Sequence, residues 1–132
     1  MRGIDTNVLL RAALQDDPIQ SRKAIAFLSK LTTKDPGYVS LSVALEFHWV
    51  LTTRYRIPRK IAASIFSRLL ASETIQFAEF GTLVEAVHRM ETLNADFADA
   101  VIASLGRRAG CQSSVTFDRK AANRLPEMEL LE

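Results

Sequence analysis

Four acidic residues stand where acids are out of place. Asp5 follows Ile4 and leads into Thr6-Asn7-Val8-Leu9-Leu10, with apolar residues on both sides. Glu46 interrupts the run from Val43 to Leu51, which also holds Phe47, Trp49 and Val50. A helix apolar on nearly every side is largely buried. A lone carboxylate inside it is costly, so Glu46 is expected to be buried and partnered. Asp99 lies three residues after Asp96, close enough to share a helix face. Asp118 ends the segment 113–117. The other acids, out of 15 in all, fall mostly on solvated helix faces. Each of these acids has an ordinary use. Asp5 could form an Asx turn, and Glu46 could be an exposed helix residue beside Arg54 or Arg56. Asp96 suits a helix N-cap, which is its preferred role, and Asp118 could cap a final helix. Asp99 could be a first-turn acid answering the helix dipole. Together they offer a different chemistry. Clustered carboxylates repel one another unless a cation lies between them. All-oxygen ligation selects a hard ion, Mg²⁺ or Mn²⁺. Such an ion, set against a phosphate, polarises phosphorus and acidifies a bound water, so hydrolysis needs no side-chain nucleophile.

The elements that must position these acids follow from local signals. A very short N-terminal strand presents Asp5 at its carboxyl end. Asp17 and Pro18 open a helix with Ala24, Phe27, Leu28 and Leu31 on its apolar face. A turn at Asp35-Pro36-Gly37 precedes a strand at 38–41. Ser42 is expected to cap a helix running through Glu46 to about Tyr55. A further helix spans 58–71, with Ile61, Ile65 and Leu69 inward. A strand at 74–77 leads to a helix at 83–93, with Val84, Val87 and Leu93 inward. Asp96 starts a helix that ends near Gly110. A strand at 113–117 delivers Asp118, a short helix reaches Arg124, Pro126 stops it, and 128–131 forms a last strand. Strands alternating with helices predict an α/β fold with a central parallel sheet covered by helices. Sites in such folds lie beyond the carboxyl ends of the strands.

Composition narrows the partners. The chain has 132 residues, 48% hydrophobic and 24% charged, which predicts one soluble globular domain over 1–132. Its net charge of only +2 argues against a polycation, so nucleic-acid contacts must come from a local basic patch. Cys111 is the single cysteine, which excludes an intrachain disulfide and a cysteine metal cluster. A lone thiol, no signal-peptide core and no long apolar run predict a cytoplasmic protein that does not cross a membrane.

The segments Asp5 to Leu10, Ser42 to Glu46 with Trp49-Val50-Leu51, Asp96-Phe97-Ala98-Asp99-Ala100 and Thr116-Phe117-Asp118-Arg119-Lys120 resemble the PIN-domain family. Within it the chain is most similar to VapC-type toxins of bacterial toxin–antitoxin pairs. The resemblance covers nearly the whole chain. It implies an α/β/α sandwich, Mg²⁺- or Mn²⁺-dependent endoribonuclease activity, an RNA substrate, a cognate antitoxin and a homodimer. It assigns Asp5, Glu46, Asp99 and Asp118 as the catalytic acids, with Asp5, Asp99 and Asp118 on the metal. Thr6, Asn7, Asp96 and Thr116 match supporting polar positions.

Other residues carry weaker signals. His48 and His88 are expected to be structural or solvated, because His48 points away from Glu46 on the helix. Phe47 and Trp49 are expected in the core or at a dimer contact, and Cys111 as a small hydrophobe near a turn. Arg54 and Arg56, with Arg59 and Lys60, form a basic run at a helix junction. They, and more so Arg119 and Lys120 beside Asp118, are the RNA-phosphate candidates. Two other functions compete. A haloacid-dehalogenase-type phosphatase needs a second aspartate two residues after the first, but Asn7 stands there. A non-catalytic binding module would hold a partner's arginine in the acidic pocket, and metal-dependent RNA cleavage separates it from the nuclease.

Overall fold

Every strand pairing in this protein is parallel. The computed structural model describes residues 1–132. The chain divides into two units, residues 1–80 and 81–132.

The first unit contains β1 (Arg2–Gly3), α1 (Thr6–Leu14), α2 (Pro18–Ser29), β2 (Gly37–Val39), α3 (Leu41–Thr53), α4 (Arg59–Leu70) and β3 (Ile75–Phe77). Its sheet has the order β1-β2-β3. Strand β2 lies in the middle and begins at Gly37 for a steric reason. A Cβ there would run into the Ile4 side chain and come within 3.0 Å of Leu31 Cδ1. The core is aromatic, as the Phe66 ring lies 5.9 Å from that of Phe47 and 6.5 Å from that of Phe77. Such tilted pairs add to the stabilisation from burial alone.

The second unit takes in α5 (Phe80–Leu93), save its first residue, then α6 (Phe97–Arg108), β4 (Ser114–Thr116), α7 (Arg119–Arg124) and β5 (Met128–Leu130). Strands β4 and β5 form a two-stranded parallel sheet. Helix α6 runs close to β4, since a Cβ on Gly106 would lie 2.5 Å from the Ser114 hydroxyl oxygen. An ion-pair network locks these elements. Arg89 grips Glu127 through two bonds of 2.8 and 2.7 Å. Arg107 reaches Glu127 at 2.6 Å and Glu85 at 2.8 Å, and Arg89 also pairs with Glu85 at 3.0 Å. Two-pronged guanidinium–carboxylate pairs are stronger and more directional than single contacts.

The α/β class with parallel strands is as expected from the sequence. Several details differ. The strands form a three-stranded and a two-stranded sheet. Helix α1 is additional to the elements expected from the sequence; Thr6, Asn7 and Val8 are weak helix formers, and burial of Thr6, Leu9 and Leu10 offsets that preference. The cap of α3 is Ser40 rather than Ser42, its hydroxyl accepting from the Val43 N–H at 3.2 Å. The buried face of α4 is Ala62, Ala63, Phe66 and Leu70, while Ile61 is exposed. Small alanines let the helix approach its neighbours, so the larger isoleucine lies outside. On α5 the buried residues include Leu83, Ala86, Val87 and Met90, whereas Val84 and Leu93 face solvent. No helix is long and apolar enough to cross a membrane.

The network sets a stability prediction. Arg89's hydrogen bonds hold Glu127 below the usual carboxylate range, and Arg107's do the same for Glu85. Their contribution is present above the unfolded value near 4.5 and is lost as pH falls through the lower folded values. Glu127→Ala leaves two guanidinium groups short of a partner and should cost about 3 kcal/mol in urea unfolding at neutral pH. The difference from the parent protein should shrink below about pH 4.

Candidate active site

The first unit places Asp5 at the junction between β1 and α1. It is the N-cap residue of α1, yet its side chain makes no capping hydrogen bond. Its backbone carbonyl accepts from Val8 instead, at 3.1 Å. The other acidic caps behave differently: Asp17 accepts from the Ile19 and Gln20 N–H groups. The Asx-turn role for Asp5 is therefore not realised, and its exposed carboxylate remains free. The next residue, Thr6, is buried and donates its hydroxyl proton to Glu46 Oε1. Glu46 itself is exposed, contrary to the sequence expectation. It projects from the open side of α3, while Ala44, Phe47, His48, Val50 and Leu51 occupy the buried side. Asp5, Thr6, Asn7 and Glu46 line one cavity of about 270 Å³, together with Trp49 and Arg54.

Neighbouring polar groups fix one wall of that cavity. The Tyr55 hydroxyl donates to Asp16 at 2.8 Å. Arg11 donates to Gln20 at 2.7 Å and, at 3.3 Å each, to Asp16 and Tyr55. The Tyr55 hydrogen bond keeps the Asp16 carboxyl below its ordinary range. This cluster ties the α1–α2 junction to the end of α3. Its members are far apart in sequence, so nothing in the chain announced it.

The second unit gathers Asp96, Asp99 and Asp118 around the start of α6 and the end of β4. Asp96 caps α6, its Oδ2 accepting from the Asp99 N–H at 3.2 Å. Asp118 caps α7, its Oδ1 accepting from Lys120 at 2.9 Å and Ala121 at 3.2 Å. The Thr116 hydroxyl accepts from the Asp118 N–H at 3.0 Å and so fixes that junction. Each of these acids caps through one oxygen and keeps the other. Asp99 is different. It is half-buried, and its side chain takes no hydrogen bond or ion pair. Burial raises its pKa above 3.8, and the charges of Asp96 and Asp118 raise it further.

No three acid, imidazole or thiol groups stand together as a metal cage. The chemistry of the donors nonetheless fits a hard divalent cation. The donors are all oxygen, and Asp99 carries charge that no basic side chain offsets. The remaining candidates fall outside this pattern. His48 is buried with its ring 6.5 Å from Phe66, and His88 is exposed on α5. Cys111 is exposed rather than packed. Arg119 and Lys120 open α7 and are solvated, and Arg56 sits at φ 52° in the loop before α4. Trp49, expected in the core or at a dimer contact, is 56% exposed, whereas Phe47 is fully buried.

The chain is an α/β protein of parallel strands with carboxylates, Asp5 and Asp118, at strand-to-helix junctions. The sequence model of the PIN domain family matches residues 4–127, and the chain belongs to that family. PIN domains are typically metal-dependent nucleases, and the match runs through both units. Comparison with curated proteins gives no match.

Asp99 yields a test free of any assumption about substrate. A carboxyl group with a raised folded pKa stabilises the native state fully below its unfolded pKa. That contribution is lost as pH rises through the folded value. Asp99→Asn removes the repulsion, so in chelator at pH 7 the variant should melt higher than the parent. The advantage should vanish below about pH 3.5, where Asp99 is protonated in both states. Thermal unfolding at the two pH values measures it; a variant that melts lower at both would mean that Asp99 is not repelled in the native protein.

Proposed function

We propose that this protein is an endoribonuclease, the toxin of a VapC-type toxin–antitoxin pair, which hydrolyses RNA phosphodiester bonds with Mg²⁺ or Mn²⁺. The observation that carries the reading is the uncompensated carboxylate of Asp99, half-buried and set beside the charges of Asp96 and Asp118. Membership of a family of typically metal-dependent nucleases supports it, and so does the resemblance of the segments around the four acids to that family. The family resemblance assigns the cation to Asp5, Asp99 and Asp118 and names Glu46 as the fourth catalytic acid. When bound, such an ion polarises the phosphate and makes a water molecule a better nucleophile.

The chain's own residues supply the rest. Thr6 orients Glu46 by donating to its Oε1. Thr116 holds the backbone that carries Asp118, and Asp96 fixes the first turn under Asp99. Such supporting contacts matter because they fix where a ligand oxygen can go. Arg119 and Lys120, beside Asp118, and Arg54 and Arg56, around the end of α3, are the candidates for RNA phosphates. An antitoxin and a second copy of the chain are the proposed protein partners, and the cytoplasm the proposed compartment. A guanidinium from a partner protein would also satisfy the charge on Asp99. That is the one observation favouring a binding module without catalysis, and RNA cleavage that depends on metal would exclude it.

Cleavage of RNA with Mn²⁺ and with EDTA is the direct test. Asp5→Asn and Asp99→Asn should abolish it with the fold retained. Thr6→Val should reduce it about 10- to 100-fold, the usual effect of losing a group that orients a ligand. Asp96→Asn should do less harm than Asp99→Asn, because its capping bond can survive as an amide. An Asp5→Asn variant that cleaves like the parent would remove this site from the reaction.

A separate experiment addresses the biological role. Production of the chain alone in a bacterium should arrest growth, and the Asp5→Asn form should be harmless. Abundant parent protein with intact cellular RNA and normal growth would contradict the toxin assignment.

A further inference from the structure

Trp49 is the one large apolar side chain that the buried face of α3 leaves outside. Phe47, Val50 and Leu51 are buried on that helix, whereas Trp49 is 56% exposed. It does not face open surface alone, for it lines the cavity of about 270 Å³ that also contains Asp5 and Glu46. Trp49 follows Glu46 by three positions, so the two are neighbours on one helix face. The other walls are mostly polar, with Leu10 and Val50 the apolar exceptions. Asp5, Asn7 and Arg54 are exposed there, and Arg54 has no ion-pair partner. Arg11, by contrast, is committed to Asp16, Gln20 and Tyr55.

An aromatic ring among carboxylates and a free guanidinium suits a ligand that is flat and apolar on its faces but anionic along its backbone. An apolar protein helix would leave these charges desolvated and unpaired, at a cost. Nucleic-acid bases in a single strand meet both requirements, because their faces stack on indole while phosphates answer arginine. A base held in a duplex has no free face to offer.

We propose that Trp49 is the platform on which an unpaired base of the substrate stacks, with Arg54 on the adjoining phosphate. The inference rests on the ribonuclease reading and adds its specificity residue. Stacking places the strand along α3 beside Glu46 and Asp5. Trp49 is thus a binding residue whose loss should act on affinity more than on the chemical step.

Trp49 is the only tryptophan of the chain, so its emission reports this position alone. Titrating the full protein in EDTA with an unstructured oligoribonucleotide should quench or shift that emission. A duplex of the same length should do so far less. Anisotropy of the labelled single strand should show Trp49→Ala binding roughly 10- to 100-fold more weakly, with Trp49→Phe retaining most of the affinity. In cleavage assays Trp49→Ala should raise KM by a similar factor and leave kcat within a few-fold. Saturating RNA that leaves the emission unchanged would overturn the proposal. So would a Trp49→Ala protein with normal RNA affinity but an altered sedimentation coefficient, which would assign the indole to a protein contact. If the parent cleaves RNA and Trp49→Ala does so with an unchanged KM, only the stacking role falls. If the parent neither binds nor cleaves any RNA, the ribonuclease reading falls and the stacking role with it.

Discussion

Parallel pairing of very short strands is the constraint from which the rest follows. Two parallel neighbours cannot be joined by a tight turn, so each strand must hand the chain to a crossover. Here the strands are two or three residues long, and helices begin almost at once after β1, β2 and β4. The strand's carboxyl end and the helix's first turn then become one place. That place always has free backbone N–H groups, which attract an oxygen. Ser40 and Asp118 meet that need with their side chains. Asp5 occupies the equivalent position and does not, so the architecture supplies a carboxylate that the fold itself leaves unused.

The same unit that leaves Asp99 uncompensated shows how this chain treats an acid it needs for stability. Glu85 and Glu127 share two guanidinium groups and are held below the ordinary carboxylate range. Asp99 receives burial and two like charges, and its pKa moves the other way. One set of acids stabilises the fold and the other opposes it. Titratable groups shifted by burial and like charges occur often at functional sites, where a ligand can offset the cost.

Legibility in the sequence followed the range of the interaction. The caps at Asp17 and Asp96 and the carboxyl-end positions of Asp5 and Asp118 depend on a few adjacent residues, and they were visible. Burial was harder. The apolar run around Glu46 suggested a helix buried on all sides, yet the helix has an open face, and both Glu46 and Trp49 lie there. Their three-residue spacing carried that information, but hydrophobicity alone obscured it. The helix faces were only partly legible: α5 buries Val87 as expected but leaves Val84 and Leu93 in solvent, and α4 turns Ala62 and Ala63 inward and Ile61 outward. The Arg89–Glu127 and Arg11–Tyr55 clusters join residues distant in sequence, and no local pattern encodes them.

Those clusters also determine what positive charge is left for a substrate. The chain has 17 basic residues but a net charge of only +2. Arg11, Arg89 and Arg107 are spent on internal carboxylates, where the planar guanidinium is best matched. Arg54, Arg119 and Lys120 remain without ion pairs, near the candidate acids of their own units. The few cations beside the candidate acids release few counterions on binding, so that part of any affinity for nucleic acid is small and readily lost to salt. Under the proposed ribonuclease reading, charge beside the acids is too sparse to select a substrate by itself. Shape and base stacking are the sequence-tolerant means available, and they act on strands whose bases are already unpaired.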